Sequence, residues 1–447
     1  MQVDMTKGNP LPIILKFMLP LFVGNVFQQL YNMADTIIVG RYVGASALAA
    51  VGSTGTILFL ITGLSQGLTT GFTVLTAQCF GAQELKRVRG SVANGIILSV
   101  AVAAVLTFCF VMGMGPLLRL MNTPDNIYQD AYTYIVLVSW GTSATVFYNL
   151  FSSYLRAVGN SQMPLLFLVF SAVLNVGLDL LLIVNFHMGV AGAAIATAVS
   201  QGISALLCLL YIRLRVPLLW PRAGEWRFSK SAARHQLAVG IPMSLQFAIT
   251  SSGTMIMQSA INLFGSTAVA AYTAACKIHN VLVQEMPAMG QALSTYCGQN
   301  YGKGDLPRIR KGVRSAVLIS TIYAVLAAVA GVLLLRPLLP LFFSGETSLA
   351  ELMPWASTYM RICVLFYIPL SYIFIFRNAM QGCGYGFLPM MGGVVELLAR
   401  LGAAMVAMHV MSYALAVFCD PAAWLSAGIF TGVAYVYVMK KIKEKMG

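Results

Sequence analysis

Long apolar segments separated by short polar connections run along the whole chain. An α-helix needs about 20 predominantly apolar residues to cross a bilayer. Boundaries at charged and at Gly-, Pro- or Asn-rich positions give twelve predicted spans, near residues 12–39, 51–79, 90–114, 128–155, 164–186, 190–214, 235–264, 272–299, 312–335, 354–381, 388–410 and 414–439. The short connections predict antiparallel neighbours with no soluble domain between them.

Composition supports a membrane protein. Of the 447 residues, 58% are hydrophobic and 9% are charged, whereas an average chain has about 25% charged residues. These values exclude a soluble multidomain protein, a disordered chain and a nucleic-acid-binding protein. The eight cysteines lie in or beside apolar segments without metal-ligand spacing, so we expect no metal centre from them.

The net charge of +14 carries information about topology. Of the 28 lysine and arginine residues, 21 fall in or beside the termini and the even-numbered connections, and four fall on the other side: Arg41, Arg119, Arg336 and Arg361. Cytoplasmic loops carry the excess of basic residues, so both termini are expected in the cytoplasm, as an even number of spans requires. We predict a multi-pass protein of the inner or plasma membrane, with residues 215–234 as a basic cytoplasmic linker.

The chain contains an internal repeat. Residues 78–89 (QCFGAQELKRVR) align with residues 299–310 (QNYGKGDLPRIR) at an offset of 221, and Gly159 and Pro164 align with Gly384 and Pro389 at 225. Each repeat holds six spans, so both halves enter the membrane in the same sense. The prediction is an all-α polytopic membrane protein whose twelve transmembrane helices form two six-helix lobes, residues 1–214 and 235–447, related by a parallel pseudo-twofold repeat. Transporters rock such lobes around a central cleft.

Acidic residues inside predicted spans are costly in lipid and indicate function. Four attract attention: Asp35 in span 1, Asp179 in span 5, Glu285 in span 8 and Glu396 in span 11. They do not recur at their repeat partners, because Asp35 aligns with residue 256 or 257 and Glu396 with Ser171. The charges therefore break the symmetry of the scaffold.

An oxygen-lined pocket is predicted where spans 1, 5 and 6 meet. Residues four apart share one face of a helix, which groups polar residues on spans 1 and 5, and small residues in span 6 permit close packing. Two neighbouring buried carboxylates share a proton or bind a cation, as in a cation-driven transporter. The alternative is that they only hydrogen-bond helices together. The expected members are Gln28, Tyr31, Asp35, Asn175, Asp179 and Thr197.

Other polar residues in the spans have two interpretations. Glu396 and Arg400 are four apart, which favours a neutralised packing pair over a substrate site. Lys277 and Glu285 fit a cavity-facing role and a local ion pair equally well. Pro20 removes a backbone hydrogen bond from span 1, so protonation of Asp35 is expected to bias a straight-to-bent switch of this helix, although proline kinks are also tolerated in membrane helices without function.

These segments, together with the sequence YNMADT at residues 31–36, resemble the multidrug and toxic compound extrusion (MATE) family over essentially the whole chain. The resemblance is greatest to the branch named after the DNA-damage-inducible efflux proteins. It implies a cation-coupled antiporter that exports organic, often cationic and amphipathic, compounds in exchange for H⁺ or Na⁺, with a bending helix at Pro20. The implied cation site is Asp35, Asn175, Asp179 and Thr197, with no cofactor and no metal beyond a possible Na⁺. Candidates for the substrate cavity are Gln28, Tyr31, Asn149, Lys277, Glu285 and Arg377.

The chain departs from the NorM-type branch of the family, which has acids in spans 7 and 10. Here those spans offer Gln246, Arg377 and Asn378, so a second cation site there is not expected. The alternative function is a flippase or exporter of a lipid-linked or polyisoprenoid substrate. The sequence lacks metalloprotease and phosphate-loop motifs, so neither an enzyme nor direct ATP drive is predicted. Expected partners are small organic substrates and the lipid bilayer, without nucleic acid or an ATPase subunit.

Overall fold

The structure, a computed structural model, describes residues 3–121, 123–343 and 349–446. In these ranges the chain is helical and contains no β-strand. The α-helices are α1 (Pro10–Tyr42), α2 (Ala45–Ser53), α3 (Gly55–Gly81), α4 (Leu85–Leu120), α5 (Asp125–Trp140), α6 (Thr142–Ala157), α7 (Gln162–Asp179), α8 (Gly189–Arg215), α9 (Lys230–Asn262), α10 (Ser266–Leu282), α11 (Glu285–Lys303), α12 (Leu306–Leu338), α13 (Leu349–Val364), α14 (Tyr367–Gly382), α15 (Phe387–Val410), α16 (Tyr413–Val417) and α17 (Cys419–Met446).

The helices follow the twelve predicted spans, but several spans are broken. Among the described residues, eight helical segments are long and apolar enough to cross a membrane, and two bent pairs raise the number to ten. The pairs are α5 with α6, bent by 45°, and α13 with α14, bent by 49°. The two remaining predicted spans, α9 and the pair α10 and α11, are helical but more polar.

The predicted linker 215–234 is shorter in the structure. Helix α9 begins at Lys230, so the last five residues of the predicted linker are helical. The hydroxyl oxygen of Ser229 accepts a hydrogen bond from the backbone N–H of Ala232 at 3.3 Å, which is the geometry of a helix N-cap. Two single turns of 3₁₀-helix, Pro217–Leu219 and Ala223–Glu225, form the rest of the connection.

The chain divides into two compact units. The first unit is Met1–Asp4 with Val23–Phe247, and the second is Met5–Phe22 with Ala248–Gly447. Helices α1 and α9 each contribute to both units, because the boundary falls inside them. The lobes predicted at 1–214 and 235–447 stay a prediction, and their terminal residues 1, 2 and 447 lie outside the described residues.

Close helix contact in the first unit depends on glycine. A Cβ atom added at Gly67 of α3 would lie 2.6 Å from the Cα atom of Ser244 in α9, and one at Gly71 would overlap the backbone of Gly240. The Ser244 hydroxyl donates to the carbonyl oxygen of Leu64 at 3.0 Å. Small residues therefore let the two backbones touch.

The second unit holds the segment before α1 by hydrogen bonds. The Arg308 guanidinium donates to the carbonyl oxygens of Met5 at 2.9 Å, Lys7 at 2.7 Å and Gly8 at 2.7 Å. The Lys303 ammonium donates to the carbonyl oxygen of Thr6 at 3.0 Å. Met5 and Thr6 are buried in consequence, which explains why the start of α1 belongs to this unit.

Candidate cation site

Helices α7 and α8 of the first unit bring three of the predicted site residues together. Asn175 and Asp179 lie one turn apart on α7, and both are fully buried. The Asn175 side-chain amide donates to the hydroxyl oxygen of Thr197 on α8 at 3.4 Å. Gly192 of α8 packs closely against the segment that follows α7, since a Cβ atom there would lie 3.2 Å from Ile183.

The helix changes from α-helix to π-helix after Asp179. Asp179 is the last residue of α7, and the chain continues as a π-helix over Leu180–Asn185. The sequence predicts a plain helical span here, and nothing in its apolar period signals the wider turn. Single π-turns inside α-helices occur frequently at functional sites, so this break is a structural feature that sequence reasoning missed.

Helix α1 supplies the second carboxyl group. The side chains of Asp35 and Asp179 lie within hydrogen-bonding reach of each other. Tyr31, one turn before Asp35, lies close enough to interact with Asp35, Asp179 and Thr197. We call Asp35 and Asp179 the carboxylate pair. Residues of the predicted spans 1, 5 and 6 therefore interact here, and their role as a cation site stays a prediction.

A further residue at this site was missed. Tyr134 of α5 is only 3% exposed, and its hydroxyl lies close enough to interact electrostatically with Asp35, Asp179 and Tyr31. A tyrosine within an apolar span is typical of packing, so the sequence gives only a weak signal for it. The hydroxyl adds a neutral donor and acceptor beside the two carboxyl groups.

The site is rich in oxygen atoms that lack partners. Asp35 Oδ1, both carboxyl oxygens of Asp179 and Asn175 Oδ1 are buried without a hydrogen-bond partner in the described part of the chain. Two like charges about 4 Å apart repel by about 4 kcal/mol in a protein environment. The pair can relieve this repulsion by holding one proton or a cation, and carboxylate, amide and hydroxyl oxygens suit Na⁺ as well as H⁺.

The other predicted residues lie outside this group. Gln28 is exposed on α1, one turn before Tyr31, and Asn149 is half-buried on α6. Lys277 is exposed on α10. Pro20 lies inside α1, three residues before the helix passes from the second unit to the first.

Glu285 is buried at the start of α11. Its Oε1 atom accepts a hydrogen bond from the hydroxyl of Ser320 at 2.8 Å, and its Oε2 atom has no partner among the described residues. The structure shows no ion pair between Glu285 and Lys277 within the described ranges. Its role as a cavity residue stays a prediction.

The second unit contains a buried network of alternating charges. Arg377 on α14 lies 3.2 Å from Glu396 on α15, Glu396 lies 2.9 Å from Arg400, and Arg400 lies 2.7 Å from Asp420 on α17. We call these residues the four-charge network. The pairing of Glu396 with Arg400 agrees with the packing pair expected from their spacing. The sequence interpretation missed Asp420, which lies inside the predicted span 414–439.

The sequence model of the MatE family matches residues 20–181 and 242–417. The chain belongs to the MATE family. The probable multidrug resistance protein YpnP of Bacillus subtilis is 31% identical over 308 residues, which cover 68% of each chain. The DNA damage-inducible protein F of Escherichia coli is 24% identical over 352 residues, 76% of this chain and 74% of that protein. A solved outward-facing structure of a multidrug resistance MATE family transporter matches with a TM-score of 0.91 at 23% identity over 99% of both chains.

The MATE assignment confirms two predictions from the sequence. The resemblance to this family and to its DNA-damage-inducible members is confirmed. The predicted fold class, a membrane protein of twelve helices in two lobes, is confirmed by the match over 99% of the chain. The MATE family is one of ion-coupled transporters rather than enzymes, so the chain is a multi-pass membrane protein of a transporter family.

Proposed function

We propose that this protein is a cation-coupled antiporter that exports organic compounds, often cationic and amphipathic, in exchange for H⁺ or Na⁺. The observation that carries the proposal is the carboxylate pair. Asp35 and Asp179 lie within hydrogen-bonding reach of each other, and neither has a basic partner among the described residues. A buried acidic pair without a counter-charge needs an exchangeable cation.

The neighbouring side chains support cation exchange. Asn175 and Thr197 are joined by a hydrogen bond of 3.4 Å, and Asn175 Oδ1 is left without a partner among the described residues. This oxygen and the Thr197 hydroxyl would complete the coordination of a cation held by the two carboxyl groups. When a proton is held instead, the same groups accept or donate hydrogen bonds to the carboxyl group that carries it.

Helix α1 connects the proposed cation site to a conformational change. It carries Asp35, and it contains Pro20, which removes a backbone hydrogen bond. The helix belongs to the second unit up to Phe22 and to the first from Val23. We propose that loading and release of the cation at Asp35 bias the bending of α1 near Pro20 while the two lobes rock around a central cavity, with both termini in the cytoplasm.

The comparisons favour a multidrug substrate over a lipid-linked one. YpnP carries the description of a probable multidrug resistance protein, and the matched solved structure is that of a multidrug resistance transporter. We therefore propose small organic compounds as the substrates and do not favour the flippase alternative. The proposed antiporter acts without an ATPase subunit.

The test is exchange in proteoliposomes that contain the purified protein. A fluorescent organic cation is loaded, and a pH gradient or a sodium gradient is imposed in separate experiments. We expect one of the gradients to drive transport, and we expect Asp35→Asn and Asp179→Asn to abolish it, because each amide keeps the shape of the side chain and removes its exchangeable charge.

Glu444→Gln is the matched control. It also replaces one carboxylate by an amide, but Glu444 is exposed near the end of α17, so full transport is expected. Thermal unfolding of each variant shows that the protein is folded. Gradient-driven transport at the wild-type rate by the Asp35→Asn/Asp179→Asn protein would refute the coupling mechanism.

A further inference from the structure

Two of the four arginines on the side opposite the basic connections line the same cavity. Arg336 lies at the end of α12 and Arg361 on α13, both in the second unit. The cavity has a volume of about 510 Å³. Arg41 and Arg119, the other two arginines of this group, belong to the first unit. Few basic residues lie on this side of the chain, so the presence of two of them at one cavity needs an explanation.

The two guanidinium groups have no acidic partner in the part of the chain that the structure describes. Neither Arg336 nor Arg361 forms an ion pair with any residue that the structure describes. Two cations that share a cavity repel each other, so the site favours an anion. Guanidinium groups donate paired hydrogen bonds that match the geometry of a phosphate group.

The rest of the cavity is mostly apolar. Its wall includes Val332 and Leu335 on α12 and Met353 and Met360 on α13. Val332 is 47% exposed and continues an exposed apolar surface of α12 that includes Val329 and Leu333. In a membrane protein, such a surface faces the acyl chains. The cavity is therefore open to lipid and carries two basic groups on its wall.

We propose that this cavity binds the headgroup of an anionic phospholipid. Arg336 and Arg361 hold the phosphate group, and an acyl chain lies along Val332, Leu335 and Met353. A free inorganic anion would be held by the arginines alone and would leave the apolar wall uncovered. Charge complementarity and the continuity with the exposed surface of α12 both point to a lipid. The proposal is independent of the carboxylate pair and of the transported substrate.

The test uses the full-length protein in a neutral detergent. Phosphatidylglycerol and phosphatidylcholine with identical acyl chains are titrated separately, and bound lipid is counted by native mass spectrometry. We expect tighter binding of phosphatidylglycerol at one site. The Arg336→Gln/Arg361→Gln protein should bind that lipid about thirtyfold more weakly, as expected for the loss of two basic contacts, with phosphatidylcholine binding unchanged.

The matched control is Arg41→Gln/Arg119→Gln. It removes the same number of exposed arginines from the same predicted side of the membrane and should leave phosphatidylglycerol binding intact. Arg336→Lys/Arg361→Lys keeps the charge, so we expect it to retain part of the preference. Equal binding of the two lipids, or an unchanged preference in the Arg336→Gln/Arg361→Gln protein, would overturn the proposal. Competition by millimolar inorganic phosphate as effective as that by phosphatidylglycerol would also overturn it, since the site would then be one for a soluble anion.

Discussion

The two units contain opposite arrangements of buried charged residues. In the first unit, Asp35 and Asp179 face each other without a basic partner among the described residues. In the second, each acid of the four-charge network lies within 3.2 Å of an arginine. The first arrangement is short of positive charge, which is why we propose that it exchanges a cation, whereas the second is already neutral. An internally neutral network does not need an ion to be stable inside the membrane.

The repeat shows where the two arrangements diverged. At the offset of 225 that aligns Gly159 with Gly384, Arg400 falls on Asn175 and Glu396 falls on Ser171. The same face of the same helix therefore carries neutral polar residues in one repeat and an ion pair in the other. Symmetry of the backbone does not imply symmetry of the chemistry, because a few side chains decide whether the interior binds an ion.

The largest expected effect is the loss of stability when the four-charge network is broken. Arg400→Met removes the partner of Asp420 and one of the two partners of Glu396. Removal of one partner from a buried ion pair costs about 3–5 kcal/mol. Asp179→Asn in the first unit removes a repulsion instead, so its unfolding midpoint should equal or exceed that of the wild type. Thermal unfolding in one detergent measures both, and similar losses in the two variants would contradict the comparison.

The next effect tests how tightly the network is packed. A Cβ atom at Gly253 of α9 would lie 2.7 Å from Arg400 Nη1. The Arg400 side chain cannot move away easily, because it forms ion pairs with Glu396 and Asp420. We therefore expect Gly253→Ala to destabilise the protein by about 1–3 kcal/mol, as overpacking does.

Gly402→Ala is the control for Gly253→Ala. A Cβ atom at Gly402 would meet nothing within 4 Å, so the change should stabilise α15 slightly through helix propensity. The difference between the two unfolding midpoints measures the clash alone. Equal midpoints would show that Arg400 moves freely.

Much of this architecture was predictable from the chain, because apolar length decides which segments cross a membrane. The breaks within the spans were not predictable from the sequence. The span predicted at 128–155 bends at Gly141, and that at 272–299 breaks between Leu282 and Glu285, although a broken span and a straight one have the same composition. Contacts between helices depend on how each helix is rotated, which a single sequence does not record.

The candidate site shows the same limit at the level of side chains. The spacing of Asn175 and Asp179 predicted a shared face, and the structure has both buried on α7. Tyr134 and the π-helix after Asp179 had no comparable signal. Asp420 was missed because its partner Arg400 is twenty residues away on another helix. Local spacing predicts groups within a helix, and only tertiary structure joins groups between helices.

A smaller effect, on the cation dependence of transport, is expected from a change in a side chain next to the carboxylate pair. Thr197→Ala removes the hydroxyl that accepts from Asn175. One neutral hydrogen bond contributes about 1 kcal/mol, so we expect the concentration of the coupling cation that gives half-maximal transport to rise about fivefold. Thr62→Ala is the control, since the Thr62 hydroxyl bonds to carbonyl oxygens of its own helix. An unchanged cation dependence in Thr197→Ala would remove Thr197 from the site.

The smallest effect concerns an ion pair outside the membrane-spanning segments. Arg89 Nε lies 2.7 Å from Glu225 Oε2, which also accepts from the backbone N–H of Arg222 at 2.8 Å. The hydrogen bond from Arg89, followed by that from Arg222, lowers the pKa of Glu225 to about 2. An acid with a lowered pKa in the folded state stabilises the protein above its unfolded pKa, near 4.3. The contribution falls with pH below that value and is lost as pH passes through about 2.

Glu225→Gln isolates this contribution. The difference in unfolding midpoint between wild type and variant should be constant from pH 7 to about pH 5 and should shrink as the pH is lowered toward 3. It should also shrink in part with added salt, because this pair is partly exposed and partly screened, whereas the deficit of Arg400→Met should persist in salt. A Glu225→Gln difference that grows on acidification would contradict the assignment. The contrast in salt dependence separates a charge pair that water can reach from the network that the second unit keeps buried.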